Sequence, residues 1–458
     1  MVLLIKKVDI TGGPIVKSII AYAIPLMLGA FIQVGFNAAD LMIVGQFGDS
    51  ASIAAVGAVG PIVSFLVGSF LGISVGARVL LAKSLGQATT ERTKTLVSTS
   101  ILFALFFGIA LMLGFFAFSE PLLSLVGCKE EYFDEAVAYM NLYAIGIPAM
   151  MVYNFSSAII NTTGDTQRPF IYLVIAGAMN VILNFILCFF MEHKAAAIAV
   201  ATTASQFTGA ILCFRRLLKL KGECGFDIKH ISFSWKELGG IIRIGAPCAF
   251  KASLFSLSNL QMSAAINSYG TAATAGNAAS ANLETIANAF YTGFTTATVP
   301  FVGQNLGAGN RDRVKKSILA CITIGTGIAL VTSFTVYAFG EQLLKLYLPT
   351  DPVAVEFALS RMKLVLIFSA LHVLTDVTVG AMHAFGYSLT PTINSIVTVL
   401  AFRVLWLEVI YPRLDAINHT IENVYLCYPV SYTLSLIANF TLFLIIWTKY
   451  KKGKLKQN

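Results

Sequence analysis

The sequence predicts an all-α integral membrane protein: twelve transmembrane helices in two parallel six-helix repeats. Three observations carry that reading. Hydrophobic residues make up 57% of the 458 and charged residues 12%, whereas a soluble domain carries roughly 25% charge; the mean hydropathy is +0.77. Apolar runs of about 20 residues, enough to cross a bilayer as a helix, recur along the whole length. The chain also repeats itself: at an offset of about 222 residues Pro25 falls on Pro247, Gly48 on Gly270, Gly164 on Gly386 and Pro169 on Pro391. One residue less superposes Leu85-Gly86, Arg92 and Lys94 on Leu306-Gly307, Arg313 and Lys315. The runs are continuous and too long for porin-type strands of about 10 residues.

The first span covers 16–39. The residues before it, MVLLIKKVDITGG, lack an apolar stretch followed by a small-residue cleavage site, so no removable signal is expected. Pro25 inside this span should kink it and is the candidate hinge of the first helix. Gln33, Asn37 and Asp40 follow at i, i+4 and i+7, one helical face. A polar stripe on an otherwise apolar helix belongs in a water-filled cavity. The bland alternative is that Asp40 only ends the helix at the interface. Span 2 (51–76) is glycine-rich, with Gly68 and Gly72, then Gly72 and Gly76, spaced for close helix contact. Span 3 covers 95–118, and span 4 (136–158) contains Pro148, a second expected kink. Span 5 (169–191) carries Asn180 and Asn184 one turn apart, and span 6 (195–218) carries Thr202, Thr203 and Gln206.

Residues 215–237 form the one long charged stretch inside the chain, which suggests an N-terminal lobe at 1–218, a linker at 219–237 and a C-terminal lobe at 238–458. Span 7 (239–268) contains Lys251 and has Met262 where the repeat offset would place an Asp40 counterpart. Span 8 (277–302) holds Glu284, span 9 covers 315–340, and span 10 (356–382) holds His372 and Asp376 at i, i+4. Span 11 (391–412) holds Arg403, and span 12 covers 423–448. Lys251 or Arg403 is expected to neutralise Glu284 or Asp376, although the sequence cannot pair them.

Charge sets the orientation. The net charge of +9 gathers after even-numbered spans: Lys83, Arg92 and Lys94, then the 215–243 cluster, then Arg311, Arg313, Lys315 and Lys316, then the tail. The odd gaps hold only Lys129, Lys194, Lys345 and Arg413, and are rich in acid such as Glu130, Glu131 and Asp134. Positive charge marks the cytoplasmic side, which puts both termini in the cytoplasm. The basic excess is therefore orientation and implies no nucleic-acid partner. The seven cysteines and five histidines show no ligand spacing, so no metal centre, disulfide framework or cofactor is expected. An integral-membrane enzyme would need clustered His or paired acids at a membrane face, and none is seen.

An ionised residue within a span costs about 2.5–3.5 kcal/mol on insertion scales and is a functional candidate by default. Asp40, with the Asn pair of span 5 and Thr202 of span 6, makes the best candidate in the first half: a site for a cation, or for a proton on Asp40. The second half supplies the further polar candidates Lys251, Glu284, His372, Asp376 and Arg403.

Several segments resemble the multidrug and toxic compound extrusion (MATE) family. Pro25 through Asp40-Leu-Met-Ile-Val-Gly45, Ala54-Ala55-Val-Gly57 and Leu85-Gly86 are similar to its first two helices. Asn161-Thr-Thr-Gly164-Asp165-Thr-Gln-Arg-Pro169 and Gly386-Tyr-Ser-Leu-Thr-Pro391 resemble its loops after helices 4 and 10. The resemblance covers essentially the whole chain. It implies a V-shaped two-lobed bundle that expels small amphipathic, often cationic compounds in exchange for H+ or Na+ by alternating access, as a monomer; the short loops and the lack of a transit peptide suggest a bacterial cell (inner) membrane. In the DinF-like branch the ion site joins an acid on helix 1 to polar partners on helices 5 and 6, places held here by Asp40, Asn180, Asn184 and Thr202. Where some relatives have a second acid in helix 5, this chain has Asn184. Relatives coupled through the other lobe have a Glu in helix 7 where this chain has Phe255. The alternative function is a flippase for lipid-linked oligosaccharides, which needs a cationic cavity; Lys251, Arg403, Arg78, Arg361 and Lys363 are its candidates.

Overall fold

A computed structural model describes residues 7–48, 50–220 and 224–453. The described residues are helical almost throughout, and the twelve expected spans are all present as helices. We number them α1 Ile15–Phe47, α2 Ser50–Gly86, α3 Thr90–Leu125, α4a Phe133–Ile145 with α4b Ile147–Thr162, α5 Gln167–Phe190 and α6 Lys194–Lys219. The second half gives α7 Trp235–Asn267, α8 Thr271–Gly307, α9 Arg311–Ala338, α10a Pro352–Val365 with α10b Ser369–Ala384, α11 Leu389–Asp415 and α12 Glu422–Lys451. Among the described residues nine spans are long and apolar enough to cross a membrane, and the two bent pairs bring the number to eleven. The twelfth is α8, whose 37 residues are ample in length but diluted with Ala, Thr, Gly and Asn. Large apolar side chains such as Phe106, Phe118, Ile182, Phe189 and Phe334 are exposed, as expected where lipid is the solvent.

The two bent spans have different origins. Span α4 turns by 42° between its halves, and Pro148 sits in the first turn of α4b, where a missing N–H costs nothing. This is the kink the sequence announced. Span α10 turns by 43° without a proline or glycine at its break, and no sequence signal marks it. Helix α1 runs unbroken through Pro25. Helix α11 contains two π-helical stretches, Ile396–Ala401 and Trp406–Ile410, on either side of Arg403.

Packing divides the chain into two units. One comprises residues up to Asp9 and Phe31–Ala246; the other comprises Ile10–Ala30 and Pro247–Asn458. Helices α1 and α7, the first of each repeat, thus each contribute to both units, and the changeover in α7 falls at Pro247.

In the first unit one apolar cluster gathers around Phe70, Ile147, Phe155 and Leu217, and another around Val59, Leu123, Tyr139 and Ile198. Glycine permits a close backbone crossing of α2 and α7: a Cβ on Gly76 would lie 2.1 Å from the Ile241 carbonyl oxygen, and one on Gly245 would lie 2.5 Å from that of Ile73. Near Asp9, the Val8 N–H donates to the Gly164 carbonyl at 2.9 Å. Gly164 has φ +92° and a Cβ there would meet Val8 O at 2.2 Å, so this turn requires glycine twice over. The ammonium of Lys194 donates to the carbonyls of Cys188 and Met191 at 2.8 and 2.7 Å, closing the exposed end of α5.

In the second unit apolar clusters form around Met262, Trp406, Val424 and Tyr425, and around Leu283, Leu344 and Ala358. The segment leading into α1 is tied down here by backbone acceptors. Arg313 donates to the carbonyls of Gly12 and Gly13 at 2.8 and 2.9 Å, and Asn305 Nδ2 donates to that of Ile10 at 3.1 Å.

Candidate functional site

Helix contact fixes the register of the first unit's polar network. Gly177, Asn180 and Asn184 stand at i, i+3 and i+7 on one face of α5, and Phe36 and Asp40 at i, i+4 on one face of α1. The Phe36 ring lies over Gly177 so closely that a Cβ there would fall 1.8 Å from it. One turn further along, Asp40 meets Asn184. The Asn184 Nδ2 donates to Asp40 Oδ1 at 2.6 Å and to Asn180 Oδ1 at 3.3 Å. Asn180 Nδ2 donates in turn to Thr202 Oγ1 at 3.3 Å. Three helices thus contribute to one hydrogen-bonded chain, Asp40–Asn184–Asn180–Thr202.

This arrangement is rich in acceptor oxygens. Asn184 is fully buried and Asn180 nearly so, while Asp40 is half-buried. With the Asn184 amide nitrogen committed to Asp40, its Oδ1 is turned the other way and has no hydrogen-bond donor among the described residues. A buried amide oxygen without a donor is costly, and together with a nearby carboxylate it is the kind of hard-oxygen grouping that holds an alkali cation or takes up a proton. Pro25 is buried in α1. Gln33 is exposed, and the Asn37 side chain lies outside the described residues.

The second unit's candidates separate into distinct groups. Glu284 of α8 is paired with Arg361 of α10a, whose Nη2 donates at 2.8 Å while its Nη1 donates to Asn277 O and Oδ1 at 2.8 and 3.0 Å. The expectation that Lys251 or Arg403 neutralises Glu284 is therefore corrected: Arg361 does so, from a first half of α10 that packs along α8. His372 and Asp376 lie 3.4 Å apart on α10b. Both line a narrow cleft with Lys251, Phe255, Ser395 and Tyr432. Arg403 is buried on α11 and donates through Nη1 to Asn259 Oδ1 at 3.1 Å and Ser258 Oγ at 3.4 Å. His383 is buried against Cys248, 3.7 Å from Nε2 to Sγ.

Comparison with known proteins decides the lineage. The MatE family model matches residues 25–190 and 247–406. The chain belongs to the MatE family. It is a multi-pass membrane transporter and not an enzyme. Among similar curated proteins is the probable multidrug resistance protein YoeA of Bacillus subtilis, 25% identical over 450 residues, covering 96% of both chains. The FAD transporter of Shewanella oneidensis is 25% identical, with 76% of this chain and 77% of that protein covered. The multidrug export protein MepA of Staphylococcus aureus is 23% identical over 84% of this chain and 85% of its own. A solved MOP superfamily transporter from Pyrococcus furiosus, whose binding pocket is described as of reverse polarity, has a TM-score of 0.89 at 20% identity, covering 97% of this chain and 99% of that chain. A MATE transporter solved in bent and in straight conformations scores 0.87 and 0.88 at 20% identity, covering 98% of this chain and 99% of that one. The two matched segments of the family model correspond to the two sequence repeats. The comparisons do not favour the flippase alternative.

Proposed function

We propose that this protein is an efflux antiporter of the DinF-like branch, exporting amphipathic small molecules, cationic ones among them, in exchange for H+ or Na+ bound at Asp40, Asn180, Asn184 and Thr202. The observation that carries the reading is the Asn184 side chain: its nitrogen holds Asp40 at 2.6 Å and its buried oxygen lacks a donor. The names of the multidrug relatives support a broad substrate range. The relative named as an FAD transporter argues against confining that range to cations. The basic residues after even-numbered spans support cytoplasmic termini, and the bacterial relatives support a bacterial cell membrane; a single chain holds the whole site, in keeping with a monomer.

In this mechanism an ion arriving at the network neutralises Asp40 and favours one of two conformations, with α1 bending about Pro25. An ion shifts such an equilibrium only through its difference in affinity for the two states. Moving the population from mostly one state to mostly the other takes about 5.5 kcal/mol. A membrane potential supplies about 2.3 kcal/mol per charge per 100 mV before the concentration term.

Ethidium efflux from proteoliposomes under separately imposed proton and sodium gradients tests the proposal, with Asp40→Asn beside the wild type. Efflux that follows one gradient and is lost with Asp40→Asn is the expected result. Wild-type efflux against a concentration gradient by Asp40→Asn would sink it.

A further inference from the structure

The second unit contains a charged group that the ion site leaves unused. Arg403 lies near the middle of α11, fourteen residues from Leu389 and twelve from Asp415, and is only 1% exposed. Within a membrane span a cation is expected to face a partner or a cavity. Among the described residues Arg403 forms no ion pair, whereas Arg361 of the same unit has Glu284. Its contacts are neutral: Nη1 on Asn259 Oδ1 and Ser258 Oγ, and its flat faces on two rings, with Cζ 4.5 Å from the centroid of Tyr428 and 5.2 Å from that of Phe255. Ring faces attract the guanidinium plane but accept nothing from the N–H groups within that plane.

The donors left over are Nε and Nη2, both buried and without a protein acceptor among the described residues. These two point the same way, as the side-on fork that takes both oxygens of one carboxylate or phosphate. The same fork is filled elsewhere in this chain: Arg92 donates through Nε and Nη2 to the two oxygens of Glu237 at 2.9 and 3.3 Å.

A second cation stands near this arrangement. Lys251 forms no ion pair among the described residues, and it lines a narrow cleft with Phe255, Ser258, Ser395 and Val399. Phe255 and Ser258 are also two of the four residues that Arg403 contacts. The adjoining cleft adds His372 and Asp376 to Lys251 and Phe255, so Asp376 is the one acid among its lining residues. The two π-helical stretches on either side of Arg403 are a further sign, since extra residues of this kind re-aim side chains and recur at functional sites.

We propose that Arg403 and Lys251 form an oxyanion site in the second unit, which takes the carboxylate or phosphate of an amphipathic organic anion. The guanidinium fork receives the two oxygens, Lys251 supplies the second charge, and Phe255 and Tyr428 flank the apolar part. The assignment of that anion as transported cargo rests on the transporter reading above; its binding does not.

The test uses the full chain in nanodiscs of zwitterionic phosphatidylcholine, with fluorescein as the anionic probe read by fluorescence anisotropy. Wild type should bind it, and millimolar inorganic phosphate should displace it. Arg403→Met and Lys251→Met should each weaken binding by about 10- to 100-fold, the range of a lost charge-assisted hydrogen bond. Arg403→Lys keeps the charge but loses the fork and should weaken it by about tenfold. Thermal unfolding shows which variants remain folded; should Arg403→Met fail to fold, Lys251→Met and Arg403→Lys still decide. Equal binding by folded variants and wild type overturns the proposal, as does an adventitious association that phosphate does not displace. Displacement by nanodiscs doped with phosphatidylglycerol, but not by phosphate, assigns a lipid headgroup instead and also overturns it. Ethidium efflux by the wild type is measured in parallel: if it ignores both gradients, the antiport reading fails while the anion result stands by itself.

Discussion

Replacing Asn184 with Ala probes the ion site without touching its charge. The substitution removes the donor that holds Asp40 Oδ1 at 2.6 Å, the weaker contact to Asn180 at 3.3 Å, and the buried oxygen that has no donor. A hydrogen bond to a charged group contributes about 1.5–3 kcal/mol. Asp40 is half-buried, so water recovers part of that loss, which points to the lower end. Loss of an oxygen ligand acts in the same direction on a bound cation. About 1.4–2 kcal/mol in all corresponds to a ten- to thirtyfold change in ion affinity. In proteoliposomes with sodium as the coupling ion, the sodium concentration for half-maximal ethidium efflux should rise by that factor. The rate at saturation should change little, because Asp40 still supplies the charge. A folded Asn184→Ala protein with wild-type rate and wild-type dependence on both ions would refute the placement of the site.

Asn184→Asp sets two carboxylates where donor and acceptor now lie 2.6 Å apart. Two charges that close are not both held bare, so the variant should bind sodium more tightly than wild type, by about tenfold or more, as isothermal calorimetry at alkaline pH can show. Arg361→Met leaves Glu284 without its 2.8 Å partner; since Glu284 is partly exposed, a loss of about 2–4 kcal/mol is expected from thermal unfolding, and Glu284→Gln added to it should restore a large part. Gly76→Ala would place a methyl 2.1 Å from the Ile241 carbonyl oxygen, forcing α2 from α7 at a cost of about 1–3 kcal/mol, visible as a lower melting temperature. Gly57→Ala, with nothing within 4 Å of the added methyl, is the matched control and should melt like wild type.

The architecture was legible because a bilayer imposes length and apolarity on every element that crosses it. Each expected span has its helix, including α8, whose small residues lower its hydropathy without shortening it. Pro148 gave away one bent span because proline removes a donor and clashes with the turn before it. The bend between Val365 and Ser369 was not legible: it carries no such residue. Within the first unit, the spacing of Asn180 and Asn184 and the position of Asp40 showed which faces were polar. That those faces meet depended on Gly177 admitting the Phe36 ring, a contact between distant residues to which the sequence offers no pointer.

Charge pairing in the second unit was legible in kind but not in partner. A span that holds Glu284 demands a nearby cation, yet Lys251, Arg403 and Arg361 all satisfy that demand on paper. The structure pairs Arg361 with Glu284, and Arg403 lies buried among Asn259, Ser258, Phe255 and Tyr428 with no carboxylate among the described residues. Had Arg403 taken Glu284, its fork would be filled and the cavity beside Lys251 would carry no claim on an anion. Which of three cations meets Glu284 is a matter of tertiary packing between α8 and α10, and composition and periodicity carry no record of it.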